Sequence, residues 1–298
     1  MKRILITGKN SYIGNAVADY LLQYNEAAGE VCYEVERISL RRRKIEEIPM
    51  AGYDTVLHVA GKAHVDVSKA SQEVQKEYYQ VNCELAVETA RKAASDGVKQ
   101  FIYLSSVIVY GDSARVGKTK HVSAETEPTP ANFYGDSKWQ AEQKLRALET
   151  DMAIAVLRIP MIYGKGSKGN YPLLVRIAGK MPVFPHVNNQ RSMLYVEHLA
   201  EFIRLLAESG QGGLFLPQEK EYINTAELVR SIGEVKGKRI RLWAVLNPFV
   251  RLASVVPGKI GNLANKAFGS LTMDMGADGR ELGEYRLYSM EETIRRSV

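Results

Sequence analysis

The sequence predicts an α/β fold, with a doubly wound, mostly parallel sheet and a smaller C-terminal domain. Short runs rich in β-branched residues alternate with amphipathic helical stretches through the N-terminal half. The first run, "KRILITG", ends in a glycine-rich loop that leads directly into the helical pattern "NAVADYLLQY". Alternation of nearly continuous apolar strands with helices is typical of a parallel sheet covered on both faces. This is the Rossmann-type arrangement, whose ligands lie beyond the carboxyl ends of the strands.

Five strands are predicted in order: "KRILITG", "VCYEVERIS", "YDTVLHVAG", "KQFIYLSS" and "MAIAVLRIPMIYG". Two further helices are predicted at "EVQKEYYQVNCELAVETARKAAS" and "SKWQAEQKLRALE". From about Lys165 onward the strands shorten, and Gly, Pro and Asn become frequent. We therefore expect a first domain over 1–164 with about 191–218, and a second over 165–190 and 219–298.

Composition narrows the class of protein. The 298 residues are 45% hydrophobic and 25% charged, as in ordinary globular proteins. A net charge of +6 suits a polyanionic ligand such as a nucleotide. No basic stripe with interleaved aromatic residues accompanies it, so no nucleic-acid partner is expected. Cys32 and Cys83 have neither disulfide nor metal spacing, which predicts a reducing compartment and no metal site.

The distribution of apolar residues indicates whether the chain crosses or contacts a membrane. No run of about 18 apolar residues occurs, so we expect no transmembrane segment and a cytoplasmic protein. The stretch "WAVLNPFVRLASVVPGKIGNLANKAF" is apolar and basic and is interrupted by prolines. We expect it to form a helical part of the second domain or a lid. A helix lying on a membrane surface is the alternative.

The loop "LITGKNSYIG" is predicted to bind a pyrophosphate. Gly8 can adopt a turn conformation that residues with a Cβ avoid, and Gly14 allows helix and strand to pack closely. The amides and the dipole of the following helix then face the phosphates. Many glycine-rich loops are only turns, but here strand, loop and helix follow in the required order. The predicted cofactor-binding residues of the loop are Gly8, Asn10, Ser11, Tyr12, Ile13 and Gly14.

Tyr134 and Lys138 in "YGDSK" are four residues apart and therefore lie on one helical face. A tyrosine phenol has a pKa of about 10, and a nearby ammonium lowers it. Tyr134 can then exchange a proton with a carbonyl or alcohol oxygen, which Ser106 also contacts. A Tyr/Lys pair alone is usually accidental. Following a phosphate loop and a strand that ends in serine, it indicates Ser106, Tyr134 and Lys138 as catalytic residues, with Tyr134 and Lys138 also contacting the cofactor.

The run "ISLRRRKIE" follows the second strand, where NAD-binding members of this fold carry an acidic residue against the ribose. Ser39 stands at that position and carries no charge to repel a 2′-phosphate. Arg41 and Arg42 can hydrogen-bond the phosphate oxygens. We therefore expect NADP(H) to be preferred, with NAD(H) possible; a solvated charge run is the alternative.

Together these motifs resemble an extended short-chain dehydrogenase/reductase of the NAD-dependent epimerase/dehydratase family. "TGKNSYIG" resembles T-G-x-x-G-x-x-G, "HVAG" resembles H-x-A-A/G, and "SSVIVYG" resembles S-S/T-x-x-V-Y-G. "YGDSK" and "LRIPMIYGKG" resemble Y-x-x-x-K and L-R-x-x-x-x-Y-G-P-G. The resemblance covers nearly the whole chain. It implies the same catalytic set, places Ala60 and Gly61 beside the cofactor, and places Asn82 behind the active site.

The sequence departs from the family pattern in informative ways. Ser11 replaces the usual middle glycine of the loop, and its hydroxyl can hydrogen-bond phosphate. The short connection after Lys44 predicts that a strand and a helix of the usual adenine pocket are missing. Val107 and Ile108 stand where the family's 4,6-dehydratases carry Asp and Glu, so dehydratase activity is not expected.

The segment after the fifth strand resembles bacterial UDP-N-acetylhexosamine 4-ketoreductases and 4-epimerases. The resemblance implies that the second domain binds a nucleotide sugar, with Asn170 at the diphosphate clamp, Phe184 near the base and Arg191 near the phosphates. For Arg191, a surface ion pair is the alternative. Ser106 is also expected to contact the substrate.

The resulting hypothesis is an NAD(P)-dependent oxidoreductase that acts at C4 of a UDP-sugar, reducing a UDP-4-keto-6-deoxy-N-acetylhexosamine. A UDP-hexose or UDP-N-acetylhexosamine 4-epimerase is the alternative within the enzymes. A dinucleotide-sensing protein without catalysis is the alternative of another class. The family resemblance also implies a homodimer formed through two long helices.

Overall fold

The computed structural model describes residues 1–63 and 70–298. Twelve strands occur in these residues: β1 (Lys2–Thr7), β2 (Tyr33–Ile38), β3 (Thr55–His58), β4 (Gln100–Ser106), β5 (Thr119–Val122), β6 (Ala153–Ile159), β7 (Met161–Tyr163), β8 (Val183–Pro185), β9 (Met193–Tyr195), β10 (Gly213–Phe215), β11 (Arg241–Trp243) and β12 (Ser270–Met273). The helices of the described part are α1 (Tyr12–Ala28), α2 (Gln72–Tyr79), α3 (Leu85–Ser95), α4 (Phe133–Arg146), α5 (Tyr171–Ala178), α6 (Val196–Ser209), α7 (Thr225–Val235), α8 (Asn247–Val255), α9 (Lys259–Phe268) and α10 (Met290–Ser297).

Six strands form the central sheet in the order β10-β6-β4-β3-β1-β2, and every neighbouring pair is parallel. Apolar side chains from helices cover both faces of the sheet in two separate cores. This confirms the predicted doubly wound α/β fold. Because β2 and β3 lie on opposite sides of β1, the chain changes direction beside β1. Ligands of such sheets bind at this point, beyond the carboxyl ends of the strands.

The connection between β2 and β3 is as short as the sequence indicated. Its only regular structure is a single 3-10 turn at Ile45–Glu47. Ile45, Ile48 and Met50 are buried and cover one face of the sheet in place of a helix. Consequently β2 is the edge of the sheet as far as the described residues extend.

Two predicted elements are interrupted in the structure. The long helix after β3 contains a π-helical turn at Gln80–Glu84, between α2 and α3. Such turns insert one residue into the helical repeat, and they occur often at functional sites. The predicted fifth strand divides at Pro160, which has no amide hydrogen for a sheet ladder. The part before Pro160, β6, stays in the central sheet, whereas β7 pairs with β9.

Helix α4 begins at Phe133, four residues before the sequence pattern indicated. Asn132 caps it, because its side-chain oxygen accepts hydrogen bonds from the amides of Tyr134 and Gly135, each at 3.1 Å. The earlier start brings Tyr134 into the first helical turn. Tyr134, Lys138 and Glu142 therefore follow one another at intervals of one turn.

The C-terminal part of the chain packs around a third apolar core, formed mainly by β8, α5 and α7. Helix α6 returns to pack against α1, and β10 adds to the edge of the central sheet beside β6. Helices α8 and α9 form a hairpin between β11 and β12. Among the described residues, no helix has the length and apolar character needed to cross a bilayer.

A buried ion pair connects α4 to the central sheet. Arg158 on β6 and Glu142 on α4 are 1% and 0% exposed, and the Arg158 Nη2–Glu142 Oε2 distance is 2.7 Å. Arg158 Nε donates to both carboxylate oxygens of Glu142, and its Nη1 donates to the Tyr110 hydroxyl at 2.6 Å. Ser105, the neighbour of Arg158 on β4, donates to the same carboxylate. Four elements thus share one polar network.

We predict that Glu142→Leu lowers the free energy of unfolding by about 3–5 kcal/mol, because it leaves the Arg158 guanidinium buried without a counter-charge. The double variant Glu142→Leu/Arg158→Met should lower the free energy of unfolding clearly less, since it removes both charges. Urea denaturation measures the free energy of unfolding of both variants. Glu291→Leu, which removes an exposed pair with Arg295, is the control and should change stability by less than about 1 kcal/mol. A double variant as unstable as the single one would contradict the prediction.

Candidate active site

The loops after β1 and β3 are in close contact, and glycine is required at the contact. Gly8 has a φ of 89°, and a Cβ there would stand 3.1 Å from the backbone of Ala60. A Cβ on Gly14 would stand 2.9 Å from the Val59 side chain. The first turn of α1 therefore begins directly beside the carboxyl end of β3. Its first amides have no intrahelical partner and are available to an anion.

Two side chains of this loop have roles other than those the sequence suggested. Ser11 is the N-cap of α1, and its hydroxyl accepts a hydrogen bond from the Gly14 amide at 3.3 Å. The Tyr12 ring packs on the third core, close to Gly164, and burial raises the pKa of its phenol. Both side chains thus build the loop. The Ser11 amide donates to the Gly8 carbonyl at 2.7 Å, which leaves the Tyr12 amide for a phosphate. Asn10 is exposed and Ile13 is half-buried beside them.

The end of β2 is attached to the glycine loop. The amides of Gly8 and Lys9 both donate to the Ile38 carbonyl at 2.9 Å, so Ser39 lies next to the loop. The Ser39 hydroxyl accepts a hydrogen bond from the Arg41 amide at 3.3 Å. Arg42 has a φ of 58°, a left-handed conformation uncommon for a residue with a side chain.

Arg41 and Arg42 are exposed, and neither forms an ion pair with a carboxylate of the described residues. Arg37, two residues before Ser39, differs because it donates to Asn15 at 3.0 Å and lies 3.9 Å from Asp19. The two arginines after β2 are therefore held near the loop while their guanidinium groups stay available to another anion.

The predicted catalytic residues lie at the carboxyl end of β4. Ser106 ends that strand, and its hydroxyl accepts a hydrogen bond from the Ile108 amide at 3.3 Å. Burial raises the pKa of Tyr134 to about 12, and hydrogen bonding with Ser106 acts in the opposite direction. The structure thus brings Ser106 and Tyr134 together. Tyr134 stays protonated at neutral pH.

Lys138 was expected to lower the pKa of Tyr134, but in the structure that pKa is raised. Its ammonium donates to the Leu104 carbonyl at 2.9 Å and lies 4.7 Å from the centre of the Tyr103 ring. Burial lowers the pKa of Lys138 to about 8, although the Glu142 carboxylate raises it in part. Desolvation of the Tyr134 phenol outweighs any effect of the ammonium, so the pKa of Tyr134 lies above 10 instead of below it.

Asn82 lies behind this site, in the π-helical turn. It is fully buried, accepts a hydrogen bond from the Lys62 amide at 2.7 Å and donates to the Ser137 hydroxyl at 3.1 Å. A Cβ on Gly61 would stand 3.1 Å from the Asn82 side-chain oxygen and 3.4 Å from the Lys138 ammonium. Ala60 and Gly61 therefore pass directly between the glycine loop and the Tyr/Lys helix.

Arg191 is held by neutral groups. Its guanidinium donates to the carbonyls of Lys266 and Gly269 at 2.6 and 3.2 Å, and to the Ser113 hydroxyl at 3.5 Å. No carboxylate of the described residues forms an ion pair with it, and burial lowers its pKa. The alternative of a surface ion pair is therefore wrong for the described part of the chain. A half-buried guanidinium with carbonyl partners retains its charge for a further anion.

The other two predicted substrate residues have different surroundings. Phe184 is 5% exposed in the third core, and its ring lies 5.5 Å from the ring of Phe268. The ring is therefore a core residue and does not offer a free face to a base, contrary to the expectation. Asn170 is exposed at the start of α5 and does not cap the helix with its side chain.

Sequence reasoning missed the polar network beneath the catalytic residues. Glu142 lies one turn after Lys138, and Arg158 belongs to "LRIPMIYGKG". The i, i+4 spacing of a lysine and a glutamate was visible in the sequence. Only the structure shows that this glutamate is buried and that its main partner comes from β6.

The family can now be stated. The model of the NAD dependent epimerase/dehydratase family matches residues 4–215. The chain is 27% identical to UDP-glucose 4-epimerase of Vibrio cholerae, over 100% of this chain and 94% of that protein. It is 31% identical to N-acetyl-alpha-D-glucosaminyl-diphospho-ditrans,octacis-undecaprenol 4-epimerase of Escherichia coli O157:H7, over 80% of this chain and 73% of that protein.

A solved structure of dTDP-4-dehydrorhamnose reductase from Bacillus anthracis, in complex with NADP, has the same fold. It superposes with a TM-score of 0.71 at 19% identity, covering 100% of this chain and 99% of the other. The chain belongs to the NAD dependent epimerase/dehydratase family. This confirms the resemblance of its motifs.

We predict that Lys138→Met changes the pH dependence of stability. The pKa of Lys138 in the folded state is about 8 instead of 10.5, so burial of the charge destabilises the protein fully below pH 8. That destabilisation disappears as pH rises from 8 towards 10.5. The variant should therefore gain stability relative to wild type at pH 7, by at most about 3 kcal/mol. The gain should shrink by about 2 kcal/mol near pH ~9.5.

Urea denaturation at the two pH values measures this difference. Lys144→Met, which removes an exposed lysine of the same helix, is the control. Loss of the hydrogen bond to Leu104 lowers the stability of Lys138→Met equally at both pH values, so the trend with pH is the test. A difference from wild type that is independent of pH would contradict the prediction.

Proposed function

We propose that this protein is an NAD(P)-dependent oxidoreductase that acts at C4 of a UDP-sugar and reduces a UDP-4-keto-6-deoxy-N-acetylhexosamine. The observation that carries the proposal is the position of Tyr134 and Lys138. They occupy consecutive turns of α4 beside the carboxyl end of β4, where the Ser106 side chain counteracts part of the burial that raises the pKa of Tyr134. Family membership supports the same reaction class.

The residues around the switch point fit a nicotinamide dinucleotide. A Cβ at Gly8 or Gly14 would fill the space between the loop and β3, and the start of α1 presents free amides to a pyrophosphate. The ammonium of Lys138 lies next to Gly61 and can donate to ribose hydroxyls. When bound, the cofactor supplies or accepts the hydride at the reacting carbon.

Tyr134 is the proton donor in this proposal. Its phenol is protonated at neutral pH, so it can give its proton to the C4 oxygen of a ketone as that oxygen becomes an alcohol. The resulting phenolate is stabilised by the ammonium of Lys138, and it regains a proton from solvent. Ser106 also donates a hydrogen bond to the C4 oxygen, which orients the ketone.

The proposed site for the substrate diphosphate is Arg191. It is a half-buried guanidinium that is anchored by carbonyls and has no carboxylate partner in the described residues. Asn170 is the proposed second contact on the exposed start of α5. The Phe184 ring is buried, so it is not proposed as the contact for the uracil.

A 4-epimerase is the second candidate, favoured by the names of two relatives. One relative is a UDP-glucose 4-epimerase, and the other is a 4-epimerase of a sugar linked through diphosphate to a polyprenol. Both reactions exchange a proton at the C4 oxygen, so Tyr134 has the same role in each. A substrate panel should therefore contain UDP-4-keto sugars, UDP-hexoses and a polyprenol diphosphate sugar. We also propose a homodimer, through helices α3 and α4, which lie side by side.

We predict that Tyr134→Phe decreases turnover roughly 10²- to 10⁴-fold, because it removes the proton donor but little of the binding surface. Cofactor affinity should change little. NADPH consumption with the 4-keto sugar and product chromatography with the hexoses measure turnover. Tyr20→Phe, which removes a hydroxyl bonded to Glu201 between α1 and α6, is the matched control and should retain activity. Turnover of Tyr134→Phe within a few-fold of wild type would exclude Tyr134 from the reaction.

We predict that the wild-type protein binds NADPH more tightly than NADH. The double variant Arg41→Ala/Arg42→Ala should weaken NADPH binding about tenfold or more and leave NADH binding nearly unchanged, because only NADPH carries the 2′-phosphate. Fluorescence titration measures both affinities. Arg37→Ala is the matched control because Arg37 contacts Asn15 on α1.

This titration also distinguishes the two reactions. A reductase consumes NADPH and must release NADP, whereas an epimerase regenerates one bound cofactor in each cycle. A preference for NADPH that depends on the two arginines supports the reductase. Equal affinity of the wild type for both cofactors, or a double variant that still prefers NADPH, would contradict the proposed role of the arginines and favour the epimerase.

A further inference from the structure

The α8–α9 hairpin presents its apolar residues to solvent. In α8, Phe249 and Leu252 are 69% and 67% exposed, whereas the buried residue of that helix is Ser254. A surface helix of a globular protein normally has the opposite arrangement, with its apolar stripe facing the core. The large apolar residues that are exposed in this region are Trp243, Val245, Phe249, Leu252, Val255, Val256, Ile260 and Leu263. We call these eight residues the hairpin surface.

The exposed apolar side chains follow one another closely along the hairpin. Phe249 and Leu252 are three residues apart in α8 and therefore lie on one helical face, whereas Val245 precedes this helix and Val256 directly follows it. Helix α9 packs against α8 and adds two further exposed apolar side chains. Single exposed apolar residues are ordinary, but a contiguous group of this size marks an interaction surface.

The charged residues of the segment that carries the hairpin surface are all cationic. Residues 235–273 contain seven Lys and Arg and no Asp or Glu. The whole chain has 40 cationic and 34 anionic residues. The chain outside this segment therefore contains 33 cationic and 34 anionic residues and is nearly neutral. The six cations of the segment whose side chains the structure describes are all exposed, and none pairs with a carboxylate of the described residues: Lys236, Lys238, Arg239, Arg241, Arg251 and Lys266.

We propose that the hairpin surface docks on a lipid bilayer containing anionic phospholipids. Exposed Phe, Leu, Val and Ile side chains can enter the boundary between headgroups and acyl chains, while surrounding Lys and Arg contact lipid phosphates. The half-exposed Trp243 lies at the margin, where its ring suits an interface that is apolar on one side and wet on the other. A protein partner would have to match the apolar residues and the cations of the same segment together; an anionic bilayer does both.

The hairpin surface adjoins the proposed substrate residues. The last residue of α9, Phe268, packs against Phe184, and the Lys266 carbonyl accepts a hydrogen bond from Arg191. Docking would therefore hold the substrate side of the protein near the bilayer. The proposal does not depend on the reaction, because it rests on exposure and charge alone.

The first test is flotation of the purified protein with vesicles. We expect binding to vesicles of phosphatidylcholine with about 30% phosphatidylglycerol at least about tenfold tighter than to phosphatidylcholine alone. Raising the salt concentration to about 1 M should weaken it, because the cations are exposed. The fluorescence of Trp243 should shift to shorter wavelength on binding, and a Trp243→Phe variant identifies that signal.

Two variants separate the apolar contribution from the charges. Phe249→Asn/Leu252→Asn should decrease vesicle binding at least about tenfold and leave turnover on the proposed soluble substrates unchanged. Arg251→Gln/Lys266→Gln should decrease binding to anionic vesicles but not alter the weak binding to neutral ones. Leu22→Asn, at a 48% exposed leucine of α1 outside the surface, is the matched control and should bind as wild type does.

Three results would overturn the proposal. The first is wild-type protein that does not float with anionic vesicles. The second is Phe249→Asn/Leu252→Asn binding vesicles as tightly as Leu22→Asn does. The third is a wild-type oligomer, detected by analytical ultracentrifugation, that the same double variant converts to smaller species while no variant binds vesicles. In that case, a second copy of this chain covers the hairpin surface.

Discussion

The arrangement of the site depends on the buried pair between Glu142 and Arg158. Removing two charges from water is unfavourable unless each finds partners, and here the guanidinium meets the carboxylate through three hydrogen bonds. The pair fixes the rotation and height of α4 against β6. Tyr134 and Lys138 lie two turns and one turn before Glu142, so their positions beside β4 follow from the same contact.

The Glu142 carboxylate also affects the pKa of Lys138. Burial alone lowers the pKa of Lys138, and Glu142 counteracts part of that effect. An ammonium with a pKa of about 8 remains largely charged at neutral pH, which the proposed stabilisation of a Tyr134 phenolate requires. The protein thereby keeps one cation in a nearly dry site at the expense of stability. Placement of a strained or destabilised group at a functional site is common in proteins.

Much of the fold could be predicted from the sequence because its signals are local. The order of strands and helices in the central sheet, the turn at Gly8 and the short connection after Lys44 agree with the sequence-based expectations. The failures came from contacts between distant residues. The π-helical turn around Asn82 and the division of the fifth strand at Pro160 depend on what each segment packs against. The family resemblance implies that Phe184 lies near the base of the ligand. In the structure its ring packs against Phe268, which is 84 residues away in the sequence.

The sequence by itself determined the doubly wound fold and the family, and it predicts Ser106, Tyr134 and Lys138 as the catalytic set, because each follows from residue type at short spacing. Only the tertiary structure decided which side chains are free to act. It assigned the Ser11 hydroxyl to a helix cap, gave Arg191 neutral partners, and turned the apolar side of α8 to solvent. These outcomes depend on burial and on partners distant in the chain, and neither is encoded in a local pattern.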